Sequence, residues 1–342
     1  MSRTLNVGVV GATGMVGEVF LQLMEERGFP ATQLKLFASD RSLGQTRRFK
    51  GQDIAVETLS EGCFDGLDLV FFSSGDDISK EWAPKAVRSG AMAVDNSAAF
   101  RMDPEKLLIV PEVNGDQLPK AGHAALIANP NCSTIQLVVA LKPLLHNFGL
   151  ESVHVATYQA VSGAGRGGQE ELAAQAESWV NKKSTPNPQT FPHPIAMNAI
   201  PQIGSFQDNG FCSEEIKIMK ETKKILGDSS FRVSAFTVRI PAWNSHSEAV
   251  WVRLKTKVTR EQFLASLHSQ PGLVVEDDPK NSHYPLALNS NGKNPVAVGR
   301  IHQDLDDPQT WLFWVVADNL RKGAALNGIQ IAERIFDIRP TT

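Results

Sequence analysis

The chain has 342 residues, 42% hydrophobic and 21% charged, which is the composition of an ordinary globular protein long enough for two domains. Its 34 basic and 37 acidic side chains give a formal net charge of -3 without a long run of either sign, so electrostatics gives no reason to expect nucleic acid or a membrane surface as a partner. No apolar stretch reaches the length of a membrane span, and three scattered cysteines are too few for a disulfide framework.

Residues 1–7 lead directly into a strand without a signal-peptide cleavage site, so together with the few cysteines they predict a cytoplasmic protein.

The first strand and the segment after it predict a nucleotide-binding turn. The strand, residues 6–10, ends in Gly11-Ala12-Thr13-Gly14-Met15-Val16-Gly17, and a helix follows. Glycines in this context let the backbone approach a pyrophosphate at a helix N-terminus, although a tight turn without a ligand has the same pattern.

A second predicted strand, residues 34–38, leads into the loop that distinguishes NAD from NADP in Rossmann folds. An acidic residue there binds the ribose 2′-hydroxyl, whereas arginine and hydroxyl groups suit a 2′-phosphate. Ser39, Arg41 and Ser42 favour NADP, while Asp40 favours NAD, and all of them could be solvated loop residues.

The pattern of strands and helices then continues through residues 69–72, which end in Ser73-Ser74-Gly75, a helix at 77–89 and a strand at 91–94. A polar loop follows that strand and carries Arg101. Open α/β sheets bind ligands at such strand ends, so Arg101 is a candidate anion clamp, with an exposed loop arginine as the alternative.

The stretch Asn129-Pro130-Asn131-Cys132-Ser133-Thr134 lies between an apolar strand pattern at 124–128 and a helical pattern from residue 135. Its cap residues predict a helix that begins at or just after Cys132. A thiol at a helix N-terminus is favoured as a thiolate, which is the nucleophilic form. A buried structural cysteine is the alternative reading of Cys132.

After residue 149 the pattern changes to longer strands with fewer crossovers. A strand at 152–161 leads into a flexible glycine-rich loop at 162–168, a helix at 170–180 and an irregular proline-rich segment at 184–201. Ser213 is the predicted N-cap of the next helix, and capping alone could explain the acidic Glu214 and Glu215. No histidine pair or C-x-x-C motif has metal-ligand spacing, so we predict no metal.

His246 is predicted to lie in a loop between strands at 231–240 and 249–254, where a histidine can serve as a general base or simply form hydrogen bonds. A last strand at 310–317 precedes a closing helix at 324–336, which could return to the first domain. Cys212 stands beside carboxylates that disfavour a thiolate, and Cys63 has no neighbours that single it out, so Cys132 is the strongest candidate nucleophile.

Six blocks of sequence carry a resemblance to a known family over essentially the whole chain. In chain order they are Gly11–Gly17, Asp95-Asn96-Ser97-Ala98-Ala99-Phe100-Arg101-Met102, Pro130-Asn131-Cys132-Ser133-Thr134, Gln159-Ala160-Val161-Ser162-Gly163-Ala164-Gly165, Ser213-Glu214-Glu215-Ile216-Lys217 and His246-Ser247-Glu248-Ala249. In this order they resemble the aspartate-β-semialdehyde dehydrogenases. The cysteine, glutamine and histidine blocks are specific as a set, whereas the glycine turn is common to many families.

The resemblance implies a role for each matching residue. Cys132 would form an acyl-enzyme thioester, Gln159 would orient the substrate, and His246 would be the acid/base. The substrate-binding residues would be Arg239 for the α-carboxylate, Glu214 for the α-ammonium, and Arg101 and Lys217 for the phosphoryl group. The NADP-binding residues would be Gly11, Thr13, Gly14, Met15, Val16, Gly17, Ser39, Arg41, Ser42, Ser73, Gly75, Ser162, Gly163 and Asn319.

The resemblance also implies an α/β fold with an N-terminal Rossmann-like dinucleotide-binding domain and an α+β substrate and dimerisation domain with a mostly antiparallel sheet. We expect the NADP-binding domain to comprise residues 1–130 with a C-terminal helix at about 320–342, and the catalytic and dimerisation domain residues 131–319. The implied partners are aspartyl phosphate or aspartate semialdehyde, phosphate and a second copy of the chain. The implied pathways lead to lysine, threonine, methionine and diaminopimelate.

Two departures from the family and two alternatives accompany this expectation. The family usually has a glycine before the histidine, where this chain has Trp243-Asn244-Ser245, and often a lysine after Gly165, where it has Arg166. N-acetyl-glutamyl-phosphate reductase has a similar layout, but an acylated amine would not need the acidic Glu214. A catalytically silent dinucleotide-binding relative is the other alternative, against which the intact Cys132, Gln159 and His246 argue.

Overall fold

The structure is a computed structural model and describes residues 4–341. Met1, Ser2, Arg3 and Thr342 lie outside it, and with them the first residues of the segment predicted to lack a signal-peptide cleavage site and the last residue of the predicted first domain. The chain forms two compact units. One comprises the residues up to Asn131 and those from Ala324 onward, and the other comprises Cys132–Gly323.

The first unit contains a sheet with helices formed by the intervening segments. In chain order its elements are β1 (Leu5–Val10), α1 (Met15–Glu26), β2 (Ala31–Phe37), β3 (Thr46–Phe49), β4 (Gln52–Glu57), β5 (Leu69–Phe72), α2 (Asp76–Arg88), β6 (Met92–Asp95), β7 (Leu107–Leu108), α3 (Pro111–Asn114) and β8 (Leu126–Ala128).

The strand order is β3-β4-β2-β1-β5-β6-β8-β7, and all pairings are parallel except that of β3 with β4. The order reverses at β1, from which the chain crosses first to β2 on one side and later to β5 on the other. Ligands bind at such a switch point in open α/β sheets. Parallel strands are buried on both faces, which explains why β5 and β6 are apolar almost throughout. The predicted Rossmann-like domain is confirmed.

The second unit contains a different sheet. Its elements are α4 (Cys132–Phe148), β9 (Leu150–Gln159), α5 (Arg166–Val180), α6 (Ser213–Leu226), β10 (Arg232–Arg239), β11 (His246–Leu254), α7 (Arg260–His268), β12 (Leu273–Val275), α8 (Ala287–Ser290), β13 (Val296–Gln303) and β14 (Thr310–Ala317). The strand order is β10-β9-β11-β14-β13-β12. The three central pairings are antiparallel and the two outer ones are parallel, which confirms the predicted mostly antiparallel sheet.

This second sheet has one covered face and one exposed face. Helix α4 packs against β11 and β14, and the alternate residues of β11 on the covered face, among them His246, Glu248 and Val250, are buried. Trp251 on the other face is exposed. After a π-helical turn at Arg321–Ala325 the chain ends with α9 (Leu326–Phe336), which belongs to the first unit and packs on α1, α3 and β6.

Several local predictions were wrong. The hairpin of β3 and β4 was not predicted, and α5 begins at Arg166 rather than Glu170, so the glycine-rich loop is shorter than expected. The N-cap of α6 is Cys212 rather than Ser213, because the Cys212 N–H donates to Oε2 of Glu215 at 2.8 Å. His246 is not in a loop; it is the first residue of β11 and pairs with Ala317 of β14.

Residues 4–341 contain neither a candidate membrane-spanning helix nor a candidate metal-ion site. None of their helices has the length and hydropathy to cross a membrane. Nor do they contain a cluster of three or more His, Cys, Asp or Glu side chains that could hold a metal ion.

Candidate active site

Cys132 is the first residue of α4, a helix whose following residues are almost all buried. The side chain itself is half-buried, as a nucleophile that must reach a substrate requires. Gly323 lies against it, because a Cβ placed on Gly323 would be 2.9 Å from the Cβ of Cys132. A side chain at position 323 would therefore displace the nucleophile. Sequence reasoning did not identify Gly323, and only its contact with Cys132 reveals it.

His246 is fully buried beside the end of β9. Its Nδ1 accepts a hydrogen bond from the backbone N–H of Ala160 at 3.1 Å, while its Nε2 has no hydrogen-bond partner among the described residues. Burial, and secondarily the charge of Arg239, hold the pKa of His246 well below its usual value. The imidazole is therefore neutral at pH 7, and with Nδ1 as acceptor its proton is on Nε2. This arrangement prepares His246 to donate a proton from Nε2.

Arg239 is buried at the end of β10 and is held by Nη1, which donates to the carbonyl of Ala160 at 2.6 Å. Burial lowers the pKa of Arg239, and the negative charges of Glu214 and Cys132 act against that effect. Arg239 thus provides a fixed positive charge in the same part of the unit as the nucleophile. The strand end that carries Ala160 holds both Arg239 and His246 through its backbone.

Glu214 connects two further predicted site residues. Its Oε1 is 3.5 Å from Nε2 of Gln159, and its Oε2 is 3.6 Å from Nζ of Lys217, one helical turn later on α6. Gln159 and Glu214 are buried, whereas Lys217 is partly exposed. The structure therefore brings an amide, a carboxylate and an ammonium group together, next to the Arg239 guanidinium that Glu214 also influences.

Gly163 is required by close approach. A Cβ at this position would be 2.8 Å from Nη1 of Arg239 and 3.1 Å from Cε1 of His246. The first contact would force the guanidinium to move, and the second is tighter than most packed Cβ contacts. The glycine-rich loop predicted to approach a ligand thus also allows the arginine and the histidine to lie close together.

Ser162 and Asn319 belong to a network around the residues that precede His246. Nδ2 of Asn319 donates to Oγ of Ser162 at 3.0 Å, and Oδ1 of Asn319 accepts from the N–H of Ser245 at 2.9 Å. Ser162 in turn donates to Oδ1 of Asn244 at 2.8 Å, and Asn244 donates to Asp318 at 3.0 Å. These bonds hold Ser245 at a φ of 70°, in the left-handed region that explains the family's usual glycine at this position.

The first unit contains the predicted nucleotide turn. Gly11, Thr13, Gly14, Ser39 and Ser73 line one cavity of about 450 Å³, together with Asp40 and Trp82. Gly11 has a φ of 84°, and a Cβ on it would be 2.7 Å from the carbonyl oxygen of Ser73. The N-cap of α1 is Gly14, which has no capping side chain, so the first amides of Met15, Val16 and Gly17 are available to an anion.

The remaining predicted cofactor residues lie around this turn. Ser42 Oγ is 3.2 Å from Oγ1 of Thr13, and Arg41 is exposed in the short turn Asp40–Ser42. Gly75 is the N-cap of α2, with a φ of 95°. A glycine turn, an uncapped helix N-terminus and an adjoining cavity suit a dinucleotide, so the residues present fit the cofactor that the resemblance implies.

Arg101 is buried in the first unit and held by two backbone carbonyls. Its Nε donates to Asn129 at 2.9 Å and its Nη2 to Asn96 at 2.8 Å. The loop that carries Asn96 is itself fixed by Asp95, which accepts from Oγ of Ser97 at 2.7 Å. Arg101 is thus a positioned guanidinium rather than an exposed loop arginine.

The other two cysteines differ from Cys132. Cys212 is buried, with Sγ 3.1 Å from Oγ1 of Thr237. Burial raises the pKa of the Cys63 thiol, which disfavours its thiolate. Cys132 remains the candidate nucleophile.

Sequence reasoning missed several residues of this region. Asn244 and Asp318 were not singled out as site residues, and neither were Gln136 and Glu248, two buried polar side chains on facing elements. Gln136 could have been noticed as a polar residue within the apolar run of α4. Glu248 could have been noticed two residues after His246, where alternation places it on the same face of the strand.

Comparison with known proteins identifies both units. Residues 6–121 match the family model "Semialdehyde dehydrogenase, NAD binding domain", and residues 141–322 match "Semialdehyde dehydrogenase, dimerisation domain". The chain is 47% identical to the aspartate-semialdehyde dehydrogenase of Aquifex aeolicus (strain VF5) over 96% of each chain.

Solved structures agree with the sequence comparisons. The chain matches aspartate semialdehyde dehydrogenase II from Vibrio cholerae complexed with ASA, with 41% identity, a TM-score of 0.94 and coverage of 98% of this chain and 99% of that one. It also matches aspartate semialdehyde dehydrogenase with NADP from Candida albicans, with 26% identity, a TM-score of 0.76 and coverage of 98% and 100%.

Proposed function

The chain belongs to the aspartate-semialdehyde dehydrogenase family, and from that premise we propose that it reduces L-aspartyl-4-phosphate to L-aspartate-4-semialdehyde with release of phosphate. It is an oxidoreductase of aspartate-family amino-acid biosynthesis, the route toward lysine, threonine, methionine and diaminopimelate. We place this activity in the cytoplasm. The observation that carries the proposal is the arrangement of Cys132, His246, Arg239 and Glu214 in one unit.

The proposed reaction begins with nucleophilic attack. The Cys132 thiolate forms a bond to the acyl carbon of aspartyl phosphate, the carbon–oxygen bond to phosphate breaks, and phosphate leaves. The product is a thioester on Cys132. NADPH, when bound, supplies the hydride that reduces this thioester. The resulting oxyanion collapses to the aldehyde as the carbon–sulfur bond breaks, and the thiolate is released.

The substrate's charged groups match the fixed charges of the second unit. We assign the α-carboxylate to Arg239 and the α-ammonium to Glu214, because a guanidinium and a carboxylate suit these groups and both side chains are buried and held by neighbours. Gln159 orients the substrate beside them. Holding the acyl carbon at the thiolate supplies a large part of the rate enhancement, because orientation converts an encounter into an internal reaction.

Two cations are assigned to the phosphoryl group. Lys217 extends from α6 one turn after Glu214, and Arg101 is held by backbone carbonyls in the first unit. The phosphate leaves with the electrons of the carbon–oxygen bond and so gains negative charge. Cations that are already fixed in place stabilise this charge without having to move. These assignments are proposals drawn from the match of residue type and position to the family.

His246 is assigned the acid role. Because its proton is on Nε2 while Nδ1 accepts from Ala160, the neutral imidazole donates a hydrogen bond to the oxyanion that develops when the thioester is attacked, and the proton stays on Nε2 when the oxyanion collapses to the aldehyde. A proton on Nδ1 would point at the backbone N–H of Ala160, so protonation of Nδ1 is disfavoured. The charged Arg239 and the N-terminus of α4 stabilise the Cys132 thiolate with which the reaction begins.

NADP is the proposed cofactor. The NADP-bound relative from Candida albicans supports it, as do the turn Gly11–Gly17 and the hydroxyl-rich loop Ser39, Arg41 and Ser42. We propose that Ser73 and Gly75 complete the site in the first unit, and that Ser162, Gly163 and Asn319 contribute from the second. The first unit then serves as the NADP-binding domain and the second as the catalytic and dimerisation domain.

The enzyme is proposed to be a homodimer that associates through the outer face of the second sheet. Phe236 and Trp251 are exposed on this face, and the rings of Tyr158 and Trp314 lie 5.4 Å apart. An apolar groove of about 350 Å³ continues this surface. Exposed aromatic patches of this kind mark protein interfaces, and the match to a dimerisation domain identifies this unit.

The decisive experiment follows reduction of NADP and, separately, of NAD by L-aspartate-4-semialdehyde, with and without phosphate, in the wild type and in Cys132→Ala. We expect turnover that depends on phosphate, prefers NADP and disappears in the variant. A folded wild type that binds NADP but does not turn over this substrate would contradict the proposal. The rival reduction of an N-acetylated glutamyl phosphate is not favoured, because an acylated amine has no charge to pair with Glu214.

A further inference from the structure

Two buried polar side chains face each other behind the proposed active site. Glu248 is fully buried on the covered face of β11, and Gln136 is buried on α4, which packs against that strand. The Gln136 side chain is the polar neighbour of the Glu248 carboxyl. Nε2 of Gln136 also donates a hydrogen bond of 3.4 Å to the backbone carbonyl of His246.

The pair contains too many acceptors. Within residues 4–341, neither carboxyl oxygen of Glu248 receives a hydrogen bond, and Oε1 of Gln136 receives none either. An ionised carboxylate only accepts hydrogen bonds, so it cannot pair with the amide oxygen. A buried carboxylate without donors or counter-charges is strongly disfavoured, and a proton on it removes the charge and supplies the missing donor.

Among residues 4–341, no charged group acts on Glu248 strongly enough to offset its burial. Its neighbours across the sheet are Thr157 on β9 and Val315 on β14, and β14 contains no ionisable residue. Burial raises the pKa of Glu248 well above its usual value, and the Gln136 side chain is the counteracting influence. The other ionisable groups on the elements packed around it are His246, Arg253, Cys132, Lys142, His146, Glu151, His154 and Tyr158.

We propose that Glu248 is a protonated carboxylic acid in the folded enzyme and donates a hydrogen bond to Oε1 of Gln136, so that the acid, the amide and the His246 carbonyl form one buried chain of hydrogen bonds. Gln136 is one helical turn after Cys132, and Glu248 is two residues after His246 on the same face of β11. The chain therefore couples the helix of the nucleophile to the strand of the proton donor. Glu248 is a positioning residue for both.

The protonation state is tested by the pH dependence of unfolding, which requires no turnover. If the folded state retains the proton and the unfolded state loses it near its usual pKa of about 4.3, stability falls as pH rises between the two values. Relative to Glu248→Gln, the unfolding constant of the wild type should then rise about tenfold per pH unit above pH 5. His246 contributes equally to both proteins, so the difference isolates Glu248.

The comparison has a matched control at another buried glutamate. Glu333 forms an ion pair with Arg27, with distances of 2.6 and 2.8 Å, so it needs its negative charge. Urea unfolding of Glu333→Gln at neutral pH should show a loss of stability, whereas Glu248→Gln should show a gain. Parallel pH profiles for the wild type and Glu248→Gln would overturn the proposal, because they would mean that Glu248 is ionised and accepts from Nε2 of Gln136.

The positioning role rests on the proposed function and is tested by kinetics. Glu248→Met has a similar shape but leaves Oε1 of Gln136 unpaired, so kcat should fall at least tenfold with KM within threefold of the wild type. Glu248→Gln keeps a neutral donor and should restore kcat to within threefold. A purely structural role would lower thermal stability without this kcat pattern.

The outcomes separate the two proposals. Wild-type kcat in a folded Glu248→Met would overturn the positioning role even if the enzyme has the proposed activity. Failure of Glu248→Gln to fold would overturn the protonated state, because a neutral donor is all that the proposal requires. If Glu248→Met fails to fold, the unfolding profile of Glu248→Gln decides, and it remains valid whatever substrate the enzyme uses.

Discussion

The nucleotide turn of the first unit and the active-site cluster of the second are built in opposite ways. The turn is a continuous segment, Gly11–Gly17, that presents backbone amides beside a cavity. The cluster combines side chains that lie more than a hundred residues apart, from Cys132 to His246, and most of them are buried. Backbone amides are the same in every residue, whereas the buried side chains influence one another's charge.

This difference predicts how each region responds to change. A backbone cradle loses affinity when a side chain blocks it or shifts its geometry, but it contains no single group on which bond making depends. In the cluster, removal of one charged or nucleophilic group also alters the groups that remain. The expected effects of substitutions therefore decrease from the cluster toward the turn and the loop.

The largest effect is expected for Cys132→Ala. Removal of the nucleophile should lower kcat by at least about 10⁴-fold. NADP should still bind within threefold of the wild-type affinity, since the proposed turn is in the other unit. Steady-state kinetics and fluorescence titration with NADPH measure the two effects separately. Loss of NADP binding together with turnover would show that the two regions are not independent.

His246→Asn should reduce kcat by about 10²- to 10⁴-fold, the usual contribution of a positioned acid. The substitution should also change how the free energy of unfolding depends on pH below pH 7. The folded pKa of His246 is depressed, so the unfolded state takes up a proton below about pH 6.5 and the wild type loses stability as pH falls through that value. Urea unfolding between pH 7.5 and 5 should show a shallower decline in the variant. An unchanged slope would contradict the neutral, buried histidine.

Glu214→Ala should raise KM for aspartate semialdehyde about 10- to 100-fold, the value of a hydrogen-bonded charge pair. An N-acetylated substrate analogue lacks the α-ammonium group, so any residual turnover of it should change much less. Parallel kinetics with both substrates measure the ratio. Equal losses would remove Glu214 as the partner of the ammonium group.

Arg41→Ala should weaken the preference for NADP over NAD by about tenfold, because an arginine near a ribose 2′-phosphate contributes a charge-assisted hydrogen bond. The ratio of kcat/KM values for the two cofactors is the measurement. Asp40→Ala, at the adjacent position, is the control and should not reduce the preference for NADP. An unchanged ratio in Arg41→Ala would assign Arg41 to the solvated surface.

The smallest effect is expected at the loop before His246. Ser245 has a φ of 70°, so Ser245→Gly should raise the free energy of unfolding by about 0.5–1 kcal/mol. Ser247→Gly, two residues later in the extended β11, should instead destabilise by about the same amount. Denaturant unfolding of the two variants provides the comparison. Destabilisation by Ser245→Gly would mean that its side chain is required.

The fold and the family could be predicted from the sequence because their signals are local. The glycine turn after a strand, the helix that begins at Cys132 and the alternation in the later strands each depend on neighbouring residues, and the structure confirms both domain types. The capping rule failed at α6. It predicts Ser213, a preferred cap residue, whereas the N-cap is Cys212, whose backbone N–H donates to Glu215.

The sequence alone, then, identified the nucleophile candidate, the nucleotide turn and the chemistry that their family performs. Only the tertiary structure decided that Nε2 of His246 carries the proton, that Gly163 and Gly323 must lack side chains, and that Glu248 faces Gln136. The physical reason is that protonation and close packing depend on which groups meet in a dry interior, and those groups come from strands and helices far apart in the chain.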